Sequence, residues 1–118
     1  YAFMRQRPCQ DEFFAPYIRL LAHYCPGNPG FTSSHAANHF AIASFIYFAG
    51  KKVFGKRLGW FFVWAFFISY AQVYIGIHYP LDIIGGGLVG TAIGWMVANV
   101  YNRRFNLLMP GQLQPPAV

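Results

Sequence analysis

Acidic residues are almost missing from this chain. Asp and Glu number 3 in 118 residues, and after Glu12 only Asp82 remains. Charge of either sign is scarce, at 10%, where an ordinary soluble domain carries about 25%. A disordered chain would be charge-rich and aromatic-poor, so 20% aromatic residues beside so little charge exclude one. The 9 Lys and Arg give a net charge of +6, but without the polar surface of a soluble nucleic-acid binder, so no nucleic-acid partner is expected. The 2 cysteines are too few for a disulfide framework. Tyr1 is preceded by no Met and followed by no signal-peptide pattern, which leads us to expect a fragment or processed chain without its earlier helices.

Apolar residues make up 56% of the chain and fall in long runs. No Asp, Glu, Lys or Arg lies between Arg19 and Lys51, and the segments 58–77 and 83–102 are each 20 residues without a formal charge. A spanning helix needs about 20 apolar residues, so the expected fold is an all-α integral membrane helical bundle with about three transmembrane helices. Residues 1–34 hold four prolines and the turn run Cys25-Pro-Gly-Asn-Pro-Gly30, and read as an outer-face loop with a short amphipathic helix over Phe13 to Tyr24. Helices are expected from about His35 to Gly50, capped by Ser33 or Ser34, from about Leu58 to Gly76, and from Pro80 to about Tyr101. The division is then 1–34 loop, 35–101 transmembrane helices and 102–118 tail, within one domain.

Gly86, Gly90 and Gly94 recur at spacing four on the third helix, a small-residue face that lets a neighbouring helix approach closely. Orientation follows from basic residues. Lys51, Lys52, Lys56, Arg57, Arg103 and Arg104 share one side against Arg5, Arg7 and Arg19 on the other, which makes the Lys-rich loop cytoplasmic. Residues 1–35 and 76–82 then share the outer face.

Three patches meet on that face: Arg5-Gln-Arg7-Pro8, Phe31-Thr-Ser-Ser-His35 and His78-Tyr-Pro-Leu-Asp82. A helix N-terminus at Ser33, Ser34 and His35 offers oriented N–H donors to a phosphate, and Arg7 can present a bidentate fork. Asp82, four residues after His78, can accept from one imidazole N–H, fix the tautomer and leave the other nitrogen to attack. His35 can protonate the leaving alkoxide. These parts make a metal-free phosphoryl-transfer site, with no cofactor expected.

The order Arg-Pro, Ser-x-His, His-x3-Asp resembles the type 2 phosphatidic acid phosphatase family, membrane lipid phosphatases related to vanadium haloperoxidases and bacterial acid phosphatases. The family pattern is K-x6-R-P, P-S-G-H and S-R-x5-H-x3-D. The resemblance implies that His78 is the nucleophile, Asp82 its orienting partner and His35 the general acid. It also implies that Arg7, Ser33, Ser34 and Gln72 surround the phosphate, with a phosphohistidine intermediate. The chain departs from the pattern in three places. The first-motif Lys would fall one residue before Tyr1, Thr32 and Ser34 replace Pro and Gly, and Ala71-Gln72 replaces Ser-Arg. Gln72 can donate a hydrogen bond but brings no charge. The implied substrates are an isoprenyl diphosphate, phosphatidate, phosphatidylglycerophosphate or a lipid A phosphate. The implied setting is a bacterial inner membrane with the site facing the periplasm. A homo-oligomer is compatible with all of this.

Other readings compete. His78 and Asp82 could be a structural capping pair, and His35 and His39 could ligate a metal with Asp82. Ser33 and Ser34 could be caps only, and Ser34 lacks the Gly-x-Ser-x-Gly surroundings of a hydrolase nucleophile. Cys9 and Cys25 could remain free, or could close a loop worth about 3 kcal/mol. The chain could also be a catalytically silent membrane subunit, or a soluble relative of the acid phosphatases.

Overall fold

The structure is a computed structural model, and it describes residues 5–105. Three helices carry the fold: α1, Ser34–Phe54; α2, Trp60–Tyr74; and α3, Pro80–Phe105. Short 3-10 turns occupy Pro8–Gln10, Ala15–Tyr17 and Gly55–Gly59, and no strand occurs among the described residues. The expected all-α fold is therefore observed. The expected first-motif Lys and residues 106–118 of the tail lie outside the described residues.

α1 packs chiefly along α3, with α2 against α1. The glycine stripe makes the α1–α3 contact. A Cβ on Gly86 would stand 2.6 Å from the Ser33 carbonyl oxygen, and one on Gly90 or Gly94 would collide with the backbone of Ala37 or Ala41. Backbones at that separation exclude any side chain but hydrogen. Two polar groups tie the same seam: Ser44 Oγ donates to the Thr91 carbonyl at 2.9 Å, and Asn102 Nδ2 to the Phe48 carbonyl at 3.1 Å.

Four boundaries differ from the sequence expectation. The Phe13–Tyr24 helix does not form; Ala15–Tyr17 winds as a short 3-10 turn, because Pro16 lacks the N–H that a longer helix would need. α1 runs through Gly50 to Phe54 and takes Gly55 as its C-cap. Glycine inside a helix costs only about 1 kcal/mol, and here its bare face admits Leu58, whose Cδ1 would lie 2.7 Å from a Cβ at position 50. α2 is shorter than expected, 15 residues, because the Gly55–Gly59 turn takes up Leu58 and Gly59. α3 continues past Tyr101, with Arg103 and Arg104 in its last turn beside the negative end of the helix dipole.

Among the described residues one helix, α3, is long and apolar enough to cross a membrane. Its 26 residues reach about 39 Å at about 1.5 Å per residue. Burial is inverted relative to a water-soluble domain. The buried apolar residues are Ala36, Ala43, Ala65, Ile77 and Ala98, whereas Trp60, Phe66, Phe67, Leu88, Trp95 and Val100 are exposed. Among the described residues Asp82 is the largest fully buried side chain. Apolar surface this extensive needs an apolar environment or a partner.

Candidate active site

The site is assembled where three loop ends meet the N-termini of α1 and α3. Ser33 caps α1, its Oγ accepting from Ala36 N at 3.4 Å, and its own N–H donates to the Asp82 carbonyl at 3.2 Å. This pins the start of α1 to the start of α3. The N–H groups of Ser34 and His35 follow, in the first turn, where no intrahelical carbonyl is available to them. After α2 the chain turns back at Gly76, whose φ of 82° suits glycine and whose bare face admits Ile18. The Gln72 carbonyl accepts from both Ile77 N and His78 N at 3.2 Å, which fixes the His78 backbone at the end of that turn.

Arg7 reaches this point from the other end of the chain and is 6% exposed. Its Nε donates to the Asn28 carbonyl at 2.9 Å and its Nη2 to Asn28 Oδ1 at 3.0 Å. Nη1 lies 3.0 Å from His78 Nε2 and 3.4 Å from the Ile77 carbonyl. A guanidinium only donates, so His78 Nε2 is the acceptor and the imidazole proton sits on Nδ1. That proton faces Asp82 Oδ2 across 3.6 Å, longer than a hydrogen bond. Asp82 Oδ2 is held instead by Tyr79 N at 2.9 Å.

Burial lowers the His78 pKa from the ordinary histidine value, and the Arg7 charge lowers it further; Asp82 pulls the other way. The net direction is down, so the ring is neutral at neutral pH, with its Nε2 lone pair available. Burial also lowers the Arg7 pKa, opposed by Asp82, but a guanidinium starts so high that it stays charged. Burial raises the Tyr79 pKa, and the hydrogen bond from its hydroxyl to Asp11 Oδ2, 3.1 Å, does so as well.

A cavity of about 250 Å³ opens between these groups. Arg7, Ser34, His35, Gln72 and His78 all line it, so five of the seven residues singled out from the sequence share one small space. The other two stand behind it: Ser33 as the fully buried cap and Asp82 beneath His78. Asn28, which holds two of the three Arg7 nitrogens, went unnoticed in the sequence, where it reads only as part of a turn. The metal alternative does not assemble. His39 Nδ1 lies 2.7 Å from the His35 carbonyl and its ring packs on Trp64, and no group of three His, Cys, Asp or Glu converges among the described residues.

Cys9 and Cys25 form a disulfide, 16 positions apart. It joins the turn after Arg7 to the segment before Asn28, and Gln10 Nε2 adds a bond to the Pro26 carbonyl at 2.9 Å. The Arg7–Asn28 clamp is thus closed from behind. Replacing both cysteines by Ser is expected to lower stability by about 3 kcal/mol, read as a lower thermal midpoint and faster proteolysis within residues 9–25. An unchanged midpoint would mean that the bridge does not hold the loop.

A family model for the PAP2 superfamily matches residues 1–106. The chain is 44% identical over 94 residues to a lipid A 4'-phosphatase of Bacteroides thetaiotaomicron, covering 78% of this chain and 40% of that protein. It is 32% identical over 101 residues to a lipid A 4'-phosphatase of Porphyromonas gingivalis, covering 84% and 41%. An undecaprenyl-diphosphatase of Sulfolobus acidocaldarius is 42% identical over 36 residues, 30% of this chain and 18% of that protein. The chain therefore spans about two fifths of the length of the lipid A phosphatases it matches. No solved structure matches it significantly.

Proposed function

This chain belongs to the PAP2 superfamily, and from that premise we propose that it is the catalytic part of a membrane lipid phosphatase. The observation that carries this reading is the shared cavity, with Arg7 Nη1 3.0 Å from His78 Nε2 and His35 on the same wall. A phosphate monoester entering it meets Arg7, the N–H groups that open α1, and the Gln72 amide. Arg7 Nη1 turns from His78 Nε2 to the phosphoryl oxygens, which frees the nitrogen lone pair. Nε2 then attacks phosphorus, a P–N bond forms and the P–O bond to the lipid breaks. His35 gives its proton to the departing alkoxide. In the second half His35 takes a proton from water, the water oxygen attacks phosphorus, and His78 leaves as the neutral imidazole with its proton still on Nδ1. Asp82 offsets the charge that the ring carries in between. Arg7 and backbone donors take the electrostatic part that a metal ion plays in other phosphoryl transfers.

The substrate class we favour is a lipid A-type phosphate, because the two relatives matched over most of this chain bear that name. An isoprenyl diphosphate comes second. We place the protein in a bacterial inner membrane with α3 crossing it, α1 and α2 packed beside it, and the site facing the periplasm. The exposed apolar side chains, the basic residues gathered at the far end and the Cys9–Cys25 disulfide, a bond of oxidising compartments, support that placement. Purified protein in detergent, given lipid A, undecaprenyl diphosphate and phosphatidate with excess chelator, is expected to release phosphate, most readily from lipid A. Release abolished by chelator would overturn the metal-free mechanism. No release from any lipid would favour a silent binding subunit, the reading that the neutral Gln72 supports.

A further inference from the structure

On the side of Asp82 away from His78 stands a second cation that the reaction above does not use. Arg5 Nη1 lies 3.8 Å from Asp82 Oδ1, and its guanidinium rests over the Tyr79 ring, 3.9 Å from the centroid. Asp82 Oδ1 is buried and accepts no hydrogen bond among the described residues, so the charge of Arg5 is what it faces. The placement is built. The Arg5 carbonyl accepts from Gly30 N at 2.9 Å, and the Tyr79 hydroxyl is tied to Asp11 at 3.1 Å, which steadies the ring beneath the guanidinium. Arg5 keeps partial contact with solvent, its side chain 38% exposed.

We propose that Arg5 is a positioning residue that acts through Asp82, drawing the carboxylate's field away from His78 and so keeping the imidazole in its neutral, attacking form. The inference rests on His78 as nucleophile. Position 5 is one of the unspecified positions in the first motif, and Arg5 does not line the phosphate cavity. Its effect on the reaction therefore runs through the carboxylate and not through contact with substrate.

The electrostatic balance gives the sign. His78 faces Arg7 at Nε2, Asp82 at Nδ1, His35 and Tyr24 across the cavity, and Arg19, Tyr74 and Tyr79 along a small hollow on its other flank. Asp82 is the group among these that favours the imidazolium, and it is met by Arg5, Tyr79 N and His78, with the Arg7 charge also within its field. Removing the Arg5 charge leaves the carboxylate less compensated and also removes a nearby positive charge. Both changes make His78 more basic.

The test is an NMR titration of the His78 imidazole in the full chain in detergent, labelled at histidine. The His78 signal is assigned by its loss in His78→Gln. Arg5→Gln is expected to raise the His78 midpoint by about half to one pH unit, and Arg5→Lys, which keeps the charge, to leave it near the parent value. In turnover, the acid limb of kcat/KM is expected to move up with it, about a three- to tenfold loss on that limb with little change above it. A midpoint unmoved in Arg5→Gln overturns the proposal, as does an equal shift in both variants. A loss of kcat/KM uniform across pH also overturns it, because that is what a merely structural role produces. The titration needs no turnover, so failure to hydrolyse any lipid phosphate counts against the phosphatase reading and not against the coupling of Arg5 to His78.

Discussion

His78→Ala is expected to abolish phosphate release, with kcat/KM falling by about 10⁴-fold or more. The size follows from the route. If phosphorus is transferred to Nε2 and then to water, removing the nitrogen removes both half-reactions. Ser34 lines the same space, but no base stands within an observed hydrogen bond of its hydroxyl. The ring is 4% exposed and its backbone is fixed by the Gln72 carbonyl, so the truncated side chain leaves a small void without reorganising the turn. Helical content by circular dichroism is expected to match the parent. A variant that stays folded and keeps more than about a hundredth of the activity would indicate direct attack by water, with residual stabilisation by the remaining donors.

Arg7→Lys is expected to lower kcat/KM by about 10²- to 10³-fold although the charge is kept. Arg7 divides its nitrogens: Nε and Nη2 are spent on Asn28, and Nη1 is left pointing at His78 Nε2. One ammonium cannot hold both Asn28 acceptors and reach the phosphate in the same geometry, and it offers no fork. The Asn28 carboxamide then loses a partner in a part-buried place, which loosens the loop. A loss below about fivefold would mean that position 7 contributes charge alone, and that the fixed direction of the guanidinium is immaterial.

What could be read from the sequence divides along one physical line, the separation of the residues that interact. His78 and Asp82 are four apart across a Pro-initiated helix start, and the glycines of α3 repeat every fourth residue, so both patterns show the face they form. Ser33 as cap is equally local. Arg7 is different: its contacts reach 21 positions to Asn28 and 71 to His78, and no local pattern encodes them. Its residue type and the Arg-Pro motif mark it in the sequence, whereas no local pattern marks its holder Asn28. The Arg5–Tyr79–Asp11 group escaped for the same reason, since Tyr79 and Asp11 meet across 68 positions. The helix boundaries that moved did so through tertiary contacts as well. Gly50 reads locally as a stop, since glycine commonly follows the last helical residue, but Leu58 folds back onto it.

Transfer of phosphorus through the His78 imidazole is the step on which the proposed reaction turns. Rapid mixing of the protein with lipid A labelled at its phosphate, an alkaline quench and peptide mapping tests it most directly. An acid-labile, alkali-stable label is expected that appears within one turnover, sits on the peptide containing His78, and is absent from His78→Ala. Phosphate released through full turnovers with no such label, or with the label on Ser34 or another residue, would contradict it.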